Sequence, residues 1–158
     1  MEDWTKLDDP IERRPVQNRI AQRNYKSCGR SVLHVTVERK NLSIASLVIE
    51  QWVPVDARDD RGLSAVHTTA ENGSYPIAEL LSRSGAEVDQ ADVSGQTPLH
   101  IAWRLGAVAL LELLIGETRD VDARDEEKSM ALHHAVPNNQ EDAVRVLVGG
   151  GADVNLTK

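Results

Sequence analysis

Apolar residues recur along most of this chain in short blocks with helical spacing, separated by polar turns. Residues 97–125 show the pattern most clearly. Thr97 can cap a helix and Pro98 fits its first position, where no N–H is missed. Leu99, Ala102 and Trp103 follow at helical spacing, and Gly106 ends the helix. A second apolar block, Leu110, Leu111, Leu113, Leu114 and Ile115, predicts a second helix, and a polar stretch from Thr118 to Asp125 leads onward. The same layout returns with a fixed step of 33 residues. His34, His67, His100 and His133 keep it, as do Leu33, Val66, Leu99 and Leu132. Gly29, Gly62 and Gly95 keep it in the turns, with Asp59, Asp92 and Asp125 and with Asp56, Asp89, Asp122 and Asn155. Self-similarity at such a period means stacked supersecondary units. A pair of short helices cannot bury both apolar faces alone, so neighbours must cover one another. The expected fold is therefore an all-α solenoid of helix-turn-helix units over 27–59, 60–92, 93–125 and 126–158.

The run Gly95-Gln96-Thr97-Pro98-Leu99-His100-Ile101-Ala102 resembles the G-x-T-P-L-H-x-A signature of ankyrin repeats. Gly85-Ala86-Glu87-Val88-Asp89 and Gly151-Ala152-Asp153-Val154-Asn155 resemble the other half of that repeat. The outer copies depart from it: Lys128 and Met130 stand for the glycine and threonine of the fourth, and Trp52 and Pro54 for the Gly and Asp of the first. The resemblance implies an ankyrin-repeat solenoid that binds a protein partner, without catalysis, through its turn tips and the concave face of its first helices. Offsets from each histidine place Arg30, Glu38 and Arg39 on that surface in the first copy, and Asp60, Arg61, Leu63, Glu71 and Asn72 in the second. The third offers Ser94, Gln96, Arg104 and Leu105, and the fourth Glu126, Glu127, Ser129, Pro137 and Asn138. Trp103 stands where the other copies have Val37, Ala70 and Val136. Such a bulky residue either fills core space or emerges beside the groove as a binding anchor.

Residues 1–26 form a separate basic segment. Asn18, Ala21, Gln22 and Tyr25 match the N-x-x-A-Q-x-x-[FY]-R core of fungal AP-1-like basic-leucine-zipper proteins, with Lys26 at the arginine position. This resemblance implies that Asn18 and Gln22 read base edges while Arg19, Arg23 and Lys26 hold phosphates, which would make the chain a transcription-associated regulator with residual DNA contact. No leucine heptads follow, so the coiled coil from which such basic helices fork is missing. The preferred expectation is a capping helix from about Pro15 to Tyr25, with Val16 and Ile20 packed on the first unit and Arg13, Arg14, Arg19 and Arg23 in water.

Charge sharpens the contrast between the two parts. Residues 10–30 carry a net +5, while the whole chain of 158 residues carries −7, leaving −12 for the rest. That acidic body disfavours nucleic acid and anionic membrane as its partners. No run approaches 18 apolar residues and the first 30 lack an apolar stretch, so neither a membrane span nor a secretory signal is expected. The single cysteine, Cys28, excludes an internal disulfide framework and points to an intracellular setting, cytoplasm or nucleus. Phenylalanine is absent, so the core must be built from Leu, Val, Ile and Ala.

Candidate chemistry gives way to structure at each position. Histidines carried one per unit sit on helices ~8–10 Å apart and cannot meet at ~2 Å from one zinc ion. They are expected to bond turn groups and tie one unit to the next; His134 lies off this lattice. The acidic runs Asp56-Ala57-Arg58-Asp59-Asp60 and Asp122-Ala123-Arg124-Asp125-Glu126 lack the calcium-loop pattern and are expected to cap turns. Gly149-Gly150-Gly151 has no Lys-Ser/Thr after it and reads as a helix stop, not a phosphate loop. Cys28 has no base placed near it. No metal, no cofactor and no enzyme activity are expected; the weakest alternative is a small-molecule binder or biosynthetic enzyme with a pocket near Trp103. Ala143, Val144, Val146, Leu147 and Val148 close the fourth unit with an apolar face, so self-association through the C-terminal repeat is a further expectation.

Overall fold

The computed structural model describes residues 29–51, 53–131, 133 and 141–155. Within them lie seven helices: α1 (Val32–Glu38), α2 (Leu42–Glu50), α3 (Ala65–Asn72), α4 (Tyr75–Arg83), α5 (Pro98–Arg104), α6 (Val108–Glu117) and α7 (Glu141–Gly149). The expected N-terminal helix, Cys28, His134, Pro137, Asn138 and the DNA-reading candidates Asn18, Arg19, Gln22, Arg23 and Lys26 lie outside the described residues.

Local chemistry sets each helix start. Ser31, Ser64 and Thr97 sit in extended backbone and open α1, α3 and α5. Asn41 opens α2, its side-chain oxygen accepting from the Ile44 N–H at 3.0 Å. Between the helices of the first three pairs the chain turns through the left-handed region, at Lys40 (φ 53°), Gly73 (67°) and Gly106 (66°). The second helix of a unit ends before another left-handed glycine, Gly85 (φ 79°). The third unit has Thr118 there instead. It stays extended at φ −72° and ψ 147°, and α6 runs on to ten residues.

The helices form two layers. In the inner layer α1 packs on α3 and α3 on α5; in the outer layer α2 packs on α4, α4 on α6 and α6 on α7. One apolar cluster runs between the layers, from Leu33 and Val37 through Val66, Ile77 and Leu81 to Leu110, Leu114 and Leu147. Ala70 and Ala102, both fully buried, let the inner helices approach closely. Burial corrects the surface placement of three residues, among them Ser129, which is 0% exposed. Trp103 is 0% exposed and fills space between the layers instead of emerging beside a groove. Leu63 is 3% exposed and its side chain belongs to the apolar core.

Candidate functional site

The turns at 59–63, 92–96 and 125–129 are closed the same way. Asp59 donates its N–H to the Leu63 carbonyl at 2.9 Å, and its carboxylate accepts from the Arg61 and Leu63 N–H groups at 2.9 Å. Asp92 repeats this with Gln96 (N–H to carbonyl, 2.9 Å) and with the Ser94 and Gln96 N–H groups at 2.8 and 2.9 Å. Asp125 repeats it with Ser129, at 3.0 and 2.8 Å. The tips are joined edge to edge, Val93 N–H donating to the Arg61 carbonyl and Glu126 N–H to the Ser94 carbonyl, both at 3.1 Å. That approach is why Gly95 must be glycine: a Cβ there would stand 2.8 Å from the Glu126 nitrogen, on backbone already at φ +74°.

The second aspartate lattice also bonds backbone, but across units. Asp56 accepts from the Glu87 N–H at 2.8 Å, Asp89 from the Arg119 N–H at 3.1 Å and Asp122 from the Asp153 N–H at 3.1 Å. Arg58 ties the tips from beneath, donating to the Gly62 carbonyl at 2.9 Å and to the Ala91 carbonyl. These acidic and basic groups are consumed by the stack, and among the described residues no cluster of His, Cys, Asp or Glu is arranged to hold a metal ion.

The histidines link the same elements. Nδ1 of His34, His67 and His100 accepts from the cap residue's N–H at 3.2, 3.0 and 3.2 Å. Nε2 faces a carbonyl in the following turn: Leu63 at 2.8 Å, Gln96 at 3.2 Å and Ser129 at 3.3 Å. A backbone N–H can only donate and a carbonyl can only accept, so each ring is the neutral tautomer with its proton on Nε2. Burial lowers the pKa of His34 and His67, outweighing the opposing pull of the Leu63 and Gln96 carbonyls.

What the stack leaves exposed is a charged surface with apolar points. Arg61 reaches from its tip along α3, its guanidinium 3.8 Å from Asp59 and 3.9 Å from Glu71 near the helix end. Tip and inner helix are therefore one continuous surface. Arg39 and Arg104 are exposed at the ends of α1 and α5, and Arg30 pairs with Glu38 at 3.1 Å. Leu105 is 51% exposed beside Arg104. Asn72, expected on this surface, has its amide donating to the Val37 carbonyl at 2.9 Å, while Gln96 is half-buried and joins Asp92 to His67 through its backbone alone. Sequence reasoning missed Val93, 63% exposed at the third tip. Its signal was available, since the same lattice position holds Asp60 and Glu126 in the neighbouring units.

An open groove lined by Ile49, Glu50, Val53, Pro54, Val55, Asp56 and Ser84 lies on the outer side, and none of its residues belongs to the helix that carries Trp103. No helix among the described residues is long and apolar enough to cross a membrane. A family model described as ankyrin repeats in three copies matches residues 16–92 and again 70–158. No curated protein gives a match.

Proposed function

The chain belongs to the ankyrin-repeat family, and from that premise we propose that four such repeats form a non-catalytic module that binds a protein partner through the turn tips and the exposed ends of the inner helices. The supporting observation is how the polar groups are divided. The aspartates and histidines of the lattice are spent on turns and unit-to-unit bonds. Arg39, Arg61, Glu71, Val93, Arg104 and Leu105 are exposed instead. Exposed apolar points set among charges suit a protein interface, where arginine and apolar anchors carry binding and a charged rim steers approach. With a single cysteine, an intracellular setting goes with this reading.

The test is a direct binding measurement on a partner recovered from the native cell with the full chain. Val93→Asp with Leu105→Asp should weaken that binding at least ~10-fold, a modest value for two interface anchors, while the melting temperature stays within ~2 °C. Equal binding by the double variant would refute the assigned surface.

A further inference from the structure

The first unit exposes on its N-terminal side the face that every later unit buries. Ile77, Leu110 and Ala143 share one position of the 33-residue lattice and are 1%, 1% and 0% exposed. Ile44 holds that position in α2 and is 47% exposed. Leu47 is 59% exposed, whereas its counterparts Leu80, Leu113 and Val146 pack partly buried against the core. The inner layer steps in the same direction: Val32 and Val35 are half-buried, but Ala65, Thr68 and Ile101 are buried. Later units differ from the first in having an outer helix stacked on their N-terminal side. That stacked helix is what supplies the missing cover. A solvated end would carry polar residues at these positions; this one carries Val, Ile and Leu.

We propose that residues 15–25 of the same chain cover this face as a helix laid across Val32, Val35, Ile44 and Leu47. The segment ends four residues before Gly29, a gap that spans at most ~14 Å, so it is held beside the open end. Eleven helical residues reach about 16 Å, enough to cross both helices of the unit. Val16 and Ile20, four residues apart, share one helical face. Asn18 and Gln22, also four apart, fall roughly 200° away on the same helix at ~100° per residue, so docking through Val16 and Ile20 leaves them outward. Charge supports the same occupant: residues 10–30 carry a net +5 against an acidic body of −12, and Glu50 is exposed at the end of α2.

Hydrogen exchange on the full chain, read peptide by peptide, tests this. Amides of residues 16–25 should be protected in the native protein and lose protection roughly tenfold or more in Leu47→Asp and in Ile20→Asp, while amides of 65–114 keep theirs. If Leu47→Asp unfolds the repeats, Leu47→Ala provides the milder perturbation and the same comparison. Cys28→Ser with Ile20→Cys and Leu47→Cys should form a disulfide within one chain. Exchange of 16–25 at the rate of a free peptide would overturn the proposal. So would protection indifferent to Leu47, or protection of α2 that rises with protein concentration, since a second copy would then be the occupant.

Discussion

Replacing His67 by alanine removes a group that two backbone atoms depend on. The ring is 0% exposed, accepts from the Ser64 N–H at 3.0 Å and faces the Gln96 carbonyl at 3.2 Å. Alanine leaves the buried Ser64 N–H without a partner, while the Gln96 carbonyl keeps only the Asp92 N–H. Each orphaned backbone group costs roughly 1–3 kcal/mol. The carbonyl's lost second bond and the cavity add to this, so about 2–4 kcal/mol is expected. For a chain of this size that lowers the melting midpoint by ~6–12 °C. The assay is urea unfolding followed by far-ultraviolet circular dichroism, with a chelator titration as control. His133→Ala should cost less, because His133 is only half-buried. A loss under ~0.5 kcal/mol for His67→Ala, or a midpoint moved by the chelator, would refute the structural role.

The same geometry fixes the sign of a pH effect. Burial holds His34 and His67 below the ordinary value of 6.5 in the folded state, so the unfolded chain takes up protons first as the solution is acidified. Their contribution is complete above pH ~6.5 and is lost as pH falls through the folded values. His67→Ala should therefore flatten the stability profile below pH 6.5. A wild-type protein whose stability rises on going from pH 7 to the acid side of that window would contradict the neutral tautomers.

Further expectations follow from single positions. Lys40→Gly should stabilise by about 0.5–1 kcal/mol in thermal unfolding, because Lys40 holds φ 53° without glycine's freedom. Gly95→Ala should cost ~2 kcal/mol or more by the same measurement, since its Cβ meets backbone at 2.8 Å. Val148 and Val154, 46% and 59% exposed at the far end of the stack, should make sedimentation concentration-dependent, and Val148→Asp should abolish the effect. In a gel shift, a duplex carrying an AP-1-like site should bind no better than random duplex; a preference of ~10³-fold would instead establish specific DNA reading.

The fold was legible because its period is exposed in the sequence: four histidines at a step of 33 place both helices and the turn of each unit. The chemistry of the lattice was only half legible. That Asp59 caps its own turn follows from type and spacing, but that Asp56 reaches a backbone N–H 31 residues on depends on how the units stack. The surface was least legible, because a helical offset gives a direction and not an exposure. Leu63 and Arg61 are two residues apart in one turn, yet the carboxylate of Asp59 binds both their N–H groups and curls the chain so that one side chain enters the core and the other lies along α3. Trp103 shows the same limit from the other side. Its counterparts on the lattice are Val37 and Ala70, which argues against room for an indole, yet it is buried whole. The glycines then divide into two kinds. Gly73 needs only its φ, with nothing within 4 Å of an added Cβ, so lysine can stand at the equivalent position 40 at a cost of ~1 kcal/mol. Gly95 needs its missing side chain as well, because the next tip's backbone lies against it. Which of the two a glycine is cannot be read from its own unit, only from what the neighbouring unit places there.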